Sequence, residues 1–201
     1  MLLALDTSSD YVSIALFDKL ELLIQTHQPM ATGQAEQLFP LLQDLLKKTN
    51  KKPQDISSIA VAIGPGSFTG VRIGLSTARA FALALNIPIV GITNFDAAAY
   101  NIQCAVTVVL DTKRGDYFVQ KFNQHAQPIS KPTVQTAEQL ATANPFFATG
   151  SGALALSKGV NCTYIPQTVS PAVAIGYIAL TQPDLHHPAT PLYMREANVT
   201  I

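Results

Sequence analysis

The 201-residue sequence predicts an α/β protein built from two related lobes, the second of them reduced. Two observations carry this. The first hundred residues read as three strands, helix, strand, helix, strand. A strand closed by Asp-Thr then occurs twice, at 3–7 and 108–112, and Asp10-Tyr11-Val12 is echoed by Asp116-Tyr117-Phe118 at nearly the same offset. A repeat of about 105 residues has the length of a lobe and far exceeds a solenoid unit; the alternative is a chance likeness between two β-hairpins.

Residues 2–6 are a short apolar run ending in Asp6-Thr7-Ser8-Ser9-Asp10, a buried strand followed by a polar turn. Residues 11–17 alternate as a strand, Asp18-Lys19 makes a tight turn, and 21–26 returns as a third strand. Leu38, Leu41, Leu42, Leu45 and Leu46 recur at helical spacing over 35–48, with Pro40 acceptable only near the first turn. Residues 58–63 form another apolar strand running into GPGSFTGVRIG at 64–74. A long helix follows to about Leu85, with Val71, Leu75, Ala78, Ala82 and Leu85 as its stripe, and then a strand over 87–93. Three meandering strands followed by alternating helices and strands fit a ribonuclease-H-like layer. The predicted division is a lobe at 1–102 and a smaller one at 103–201. In the latter a helix opens at Ser170-Pro171, and 191–195 is a terminal extended segment.

Composition excludes several classes. Lys plus Arg and Asp plus Glu both number 13, so no basic stripe is available to neutralise phosphates, and autonomous nucleic-acid binding is not expected. Charged residues are 13% and hydrophobic residues 48%, which implies either a thick core with neutral loops or apolar surface facing a partner. Cys104 and Cys162 form no disulfide framework, residues 1–6 are unlike a signal peptide, and no apolar run reaches the ~18 residues of a membrane span; a cytoplasmic protein is expected. His27, His125, His186 and His187 form no H-x-x-x-H pair, so no transition-metal site is expected, and His186-His187 reads as a solvated loop.

Two features carry candidate chemistry. Gly64, Gly66 and Ser67 stand at a strand-to-helix junction where backbone N–H groups can meet an anion; equally, they permit a tight turn, a Ser67 or Thr69 cap, and close packing at Gly70 and Gly74. Asp6 and Asp111 each end a strand, one per lobe, where an acid can hold a metal–nucleotide complex or simply close an Asx turn. Thr7 and Ser8 accompany the first. Arg114 follows the second, able to pair with Asp111 or with a phosphate.

LALDTS at 3–8, QLFP at 37–40, GPGSFTGVRIG at 64–74, DTKRGDY at 111–117 and PLYMR at 191–195 together resemble the bacterial TsaB (YeaZ) family of threonylcarbamoyladenosine accessory proteins. The resemblance implies an actin-like ATPase fold of two duplicated lobes. It implies a non-catalytic scaffold that binds and activates the transferase TsaD, helps recruit the ATPase TsaE, and forms a homodimer when alone. tRNA is reached only through that complex, and no cofactor is tightly bound; weak ATP or ADP at a complex interface stays open. Where the catalytic paralogue leads into a histidine metal pair, this sequence has ITNFDAA at 92–98, with Asn94 and Ala98 at the ligand positions. Gln34 stands where many relatives carry histidine. The rival reading is an enzyme in its own right, either a kinase-like ATPase or a glycoprotease-like peptidase.

The family likeness also turns the two helices into an expected partner surface. Leu38, Leu41, Leu42 and Leu45 on the first, with Val71, Gly74, Leu75, Ala78 and Ala82 on the second, are its candidates. Periodicity alone reads the same residues as core.

Overall fold

The computed structural model describes residues 1–194; Arg195, the end of the expected terminal segment, lies outside them. Contacts divide the chain into two units, Met1–Asn94 with Val169–Leu192, and Phe95–Thr168 with the residues from Tyr193.

The first unit is built on β1 (Leu2–Asp6), β2 (Tyr11–Asp18), β3 (Glu21–Pro29), β4 (Ser58–Ala62) and β5 (Ile89–Ile92). Their order is β3-β2-β1-β4-β5, with β1 antiparallel to β2 and parallel to β4. Every residue of β1 is buried, because helices cover both faces of the sheet, and this is why β1 reads as a continuous apolar run rather than an alternation. Leu3 and Leu5 of β1 and Val12, Ile14 and Leu16 of β2 face α1 (Gln34–Lys48) and α2 (Phe68–Leu85). The other face receives a helix from far along the chain. Over Pro171–Thr181, Gly176 lies against the Phe17 ring and the Ala172 N–H donates to Ser13 Oγ at 3.2 Å.

Pro40 departs from expectation. It stands well inside α1, where its ring nitrogen cannot donate to the Glu36 carbonyl one turn back. Both residues are exposed, so that carbonyl is on the solvent side.

The second unit repeats the topology. Its strands are β6 (Val106–Asp111), β7 (Asp116–Phe122), β8 (Thr133–Thr136), β9 (Phe146–Thr149) and β10 (Cys162–Tyr164), ordered β10-β9-β6-β7-β8. β6 is antiparallel to β7 and parallel to β9, as β1 is to β2 and β4. The Asp-Thr repeat therefore marks a real duplication. The reduction is in the helices: α4 (Ala137–Ala141) and α5 (Ala153–Leu156) have 5 and 4 residues where α1 and α2 have 15 and 18.

The boundary expected at 102/103 needs correcting on both sides. Helix α3 (Asn94–Ala99) follows β5 in sequence, yet Phe95, Ala98 and Ala99 pack into the core of the second unit with Val108 and Phe122. The helix over Pro171–Thr181, α6, follows β10 and belongs to the first unit. Each half of the sequence gives its third helix to the other half's sheet.

The His186-His187 loop is also more than a solvated turn. His187 and Gly91 exchange both backbone hydrogen bonds, at 2.8 and 2.9 Å, and the Leu192 N–H donates to Ile63 O at 2.7 Å. This strap covers the β5 edge of the sheet. A Cβ on Gly91 would stand 2.7 Å from the Pro188 carbonyl oxygen, so the glycine is what admits the strap.

Candidate functional site

The turn after β1 is densely hydrogen-bonded. Asp6 is 2% exposed; its Oδ1 accepts from the Ser8 N–H at 2.8 Å and its Oδ2 from the Tyr11 hydroxyl at 2.7 Å. Burial pushes the Asp6 carboxyl above its ordinary pKa, against the hydrogen bonds from Ser8 and Tyr11, which pull it down. Burial, and then the Asp6 charge, push the Tyr11 phenol well above its own usual value. The His27 ring lies tilted on Tyr11 with centroids 4.7 Å apart.

The glycine-rich segment sits directly on this turn. Ser67 N–H donates to Ser8 O at 2.7 Å, and Thr7 Oγ1 donates to Gly70 O at 2.7 Å. A Cβ at Gly66 would land on the Ser8 carbonyl oxygen and one at Gly70 on that of Thr7; at Gly74 it would meet Thr7 Oγ1 at 2.8 Å. These glycines are thus accounted for by backbone pressed against backbone, the packing alternative left open by the sequence. Ser67, not Thr69, caps α2 through the Gly70 N–H, at 3.2 Å. Gly64, at φ 97°, turns the chain out of β4, and its carbonyl accepts from the Asn94 N–H at 2.8 Å.

Asp6, Thr7, Ser8, Gly64, Gly66 and Ser67 are therefore brought together, and two residues join them. Gln34, buried at the first turn of α1, donates from Nε2 to Ser9 O at 2.6 Å and Tyr11 O at 2.8 Å. Asn94 donates from Nδ2 to Ser8 Oγ and, at 2.9 Å, to Pro65 O. Ala98 is buried. Among the described residues no three His, Cys, Asp or Glu side chains gather as a metal site.

Asp111 occupies the position in β6 that Asp6 occupies in β1. Its Oδ1 accepts from the Lys113 N–H at 2.8 Å, and its carboxylate lies 3.7 Å from Lys113 Nζ. The pairing considered for Arg114 falls instead to Lys113, because the Asx turn brings that residue back over the carboxylate. The Arg114 N–H donates to Thr112 Oγ1 at 3.2 Å.

The partner surface read from the two stripes needs correction. Leu38, Leu42, Leu45, Val71, Gly74, Leu75, Ala78 and Ala82 are all buried in the first unit, and Leu41 is half-buried against the same core. The sheet takes them, and of that stripe only part of Leu41 reaches the surface. The outward face consists of different residues. Leu83 is 85% exposed and Phe39 is 49% exposed, its ring 5.9 Å from that of Phe81. The Arg72 guanidinium lies over the exposed Phe68 ring, 3.7 Å from its centroid. An open groove of about 450 Å³ between the starts of the two helices is lined by Ala35, Phe68, Thr69, Arg72, Ile73, Ser76 and Thr77. The signal for this face was present in the sequence as the apolar residues off the stripe, Phe39, Ile73, Phe81 and Leu83.

Two sheets of identical topology, each joined to an exchanged third helix, define the class: an actin-like ATPase fold. The activator of 2-hydroxyisocaproyl-CoA dehydratase from Clostridium difficile, solved with bound ADPNP, shares it at a TM-score of 0.55, with 10% identity over 91% of this chain and 95% of that one. YeaZ from Pseudomonas aeruginosa superposes with a TM-score of 0.79, at 22% identity over 96% of this chain and 98% of that one. The TsaD family model, tRNA N6-adenosine threonylcarbamoyltransferase, matches residues 29–162, and the chain belongs to that family. Within it, the chain is similar to the tRNA threonylcarbamoyladenosine biosynthesis protein TsaB of Bacillus subtilis, 32% identical over 120 residues. That match takes in 58% of this chain and 52% of the relative, so it spans about half the relative's length. No helix among the described residues is long and apolar enough to cross a membrane.

Proposed function

We propose that this chain is a non-catalytic subunit in the formation of threonylcarbamoyladenosine on tRNA, docking through the outer face of α1 and α2 onto a TsaD-like transferase. The observation that carries the reading is the apolar face itself, with Leu83 at 85% and Phe39 at 49% exposure and, at the start of α2, an open groove lined in part by Ala35, Phe68 and Ile73. The occupant follows from kinship. The transferase family model matches this chain across both helices, so a transferase of that family brings a corresponding helix pair. Like faces pack about a twofold or pseudo-twofold axis, which also allows a homodimer through the same surface and makes the two assemblies mutually exclusive.

The absence of catalysis is supported by the state of the Asp6 turn. Both carboxylate oxygens are engaged by the chain's own donors, and Gly66 and Gly70 lie against the Ser8 and Thr7 carbonyl oxygens. Equal numbers of positive and negative side chains support reaching tRNA through the partner. Recruitment of a TsaE-like ATPase belongs to the assembled pair in this reading.

The test substitutes the face and leaves the core alone. Leu83→Glu and, at the exposed Ala80 of the same helix, Ala80→Glu should each convert the homodimer to monomer in size-exclusion light scattering and abolish capture by the transferase in the same step. A variant that loses one assembly and keeps the other contradicts the shared face.

A further inference from the structure

The two helices of the docking face take their starting positions from one connection, residues 7–11 leading from β1 into β2. Gln34 opens α1, and its Nε2 bridges the carbonyl oxygens of Ser9 and Tyr11. The same turn holds the start of α2 through Thr7 Oγ1 on Gly70 O and Ser8 O on the Ser67 N–H. Gln34 also reaches across to α2: a Cβ placed on Gly70 would stand 3.4 Å from Gln34 Oε1. The groove begins at this point, since Ala35 follows Gln34 on one wall and Thr69 precedes Gly70 on the other.

A primary amide suits this place because one nitrogen carries two N–H groups, and here it satisfies two carbonyls two residues apart. Gln34 is 8% exposed and presents almost nothing to a partner. The contact that links the helices further along, Phe39 on Phe81 at 5.9 Å, is apolar and tolerates sliding, whereas two short hydrogen bonds fix direction as well as distance.

We propose that Gln34 is a positioning residue for docking: by holding the start of α1 on the Ser9 and Tyr11 carbonyls, it sets the width of the groove that the transferase must fit. The proposal rests on the docking reading above. It makes docking sensitive to a residue that the partner does not touch.

The test measures the dissociation constant for the transferase together with the thermal midpoint of each variant. Gln34→Met keeps the length and removes both donors. Ile178→Val and Ile178→Ala, in α6 on the opposite face of the sheet, bracket it as controls of comparable midpoint loss. Gln34→Met should weaken docking at least tenfold, while the control nearest in midpoint stays within twofold of the unsubstituted chain. Gln34→His, which keeps one donor, should fall between, and it carries the test if Gln34→Met fails to fold. Docking weakened equally by the control, or left intact in Gln34→Met or Gln34→His, overturns the positioning role. Unchanged docking by Leu83→Glu in the same assay would instead sink the docking reading, and the proposal with it.

Discussion

The Tyr11 hydroxyl donates to Oδ2 of Asp6 at 2.7 Å, across a turn in which the carboxylate is 2% exposed. Burial nevertheless outweighs this bond and the one from Ser8, leaving the folded-state pKa above the ordinary 3.8. The folded chain therefore holds the proton more tightly than the unfolded one. Asp6 contributes most to stability below pH 3.8, and that contribution is lost as pH rises through the raised value. Asp6→Asn removes the ionisation and keeps an acceptor for the Ser8 N–H. In urea titrations from acid to neutral pH, the unsubstituted chain should lose stability relative to Asp6→Asn. A difference that stays flat or runs the other way contradicts this.

Tyr11→Phe deletes the donor and leaves a buried carboxylate oxygen without it. The expected cost at neutral pH is about 1.5–3 kcal/mol, the range for hydrogen bonds to charged groups. Losing a bond that favours the ionised form raises the Asp6 pKa further, so the cost should shrink as Asp6 becomes protonated at acid pH. Chemical denaturation at the two ends of that range measures it, and an equal cost at both would be inconsistent with a bond to the carboxylate.

Gly70→Ala sets helix propensity against packing. Alanine is favoured in a helix by roughly 1 kcal/mol, but here its Cβ would press on the Thr7 carbonyl oxygen. Net destabilisation of about 2 kcal/mol or more is expected from the forced backbone shift. Gly159→Ala, where a Cβ meets nothing within 4 Å, should stay within about 0.5 kcal/mol. Thermal melts of the pair separate a glycine required by contact from one that is not.

Leu75 and Leu83 lie in one helix with opposite expected phenotypes. Leu75 is 2% exposed in the core, and Leu75→Ala should cost about 2–5 kcal/mol. Leu83→Ser should leave stability within about 0.5 kcal/mol while weakening self-association and transferase capture. Urea midpoints alongside light scattering read both; a stability loss at Leu83 comparable to that at Leu75 would place it in the core.

Much of the fold was legible along the chain. The strand order 1–3, the leucine helix, the helix after the glycine segment and the Asp-Thr duplication all emerge from spacing, because periodicity of two or 3.6 residues is a local property of the sequence. The Asp6 turn was likewise visible, since an acid followed by Thr and Ser closes a strand by its own side chain.

What sequence spacing left open was decided by segments remote in the chain. The glycines at 66 and 70 read equally as anion cradle or packing contact along the chain, and in the fold the Ser8 and Thr7 carbonyls lie against them. Leu42 and Leu75 could equally have faced a partner, and the sheet claimed them; Leu83 and Phe39 became the exposed face only because the sheet lay on the other side. The exchange of α3 and α6, and the pairing of His187 with Gly91, have no local signature. A helical stripe specifies that it will be buried but not by what, because the hydrophobic effect is non-directional and only the assembled tertiary structure supplies the opposing surface.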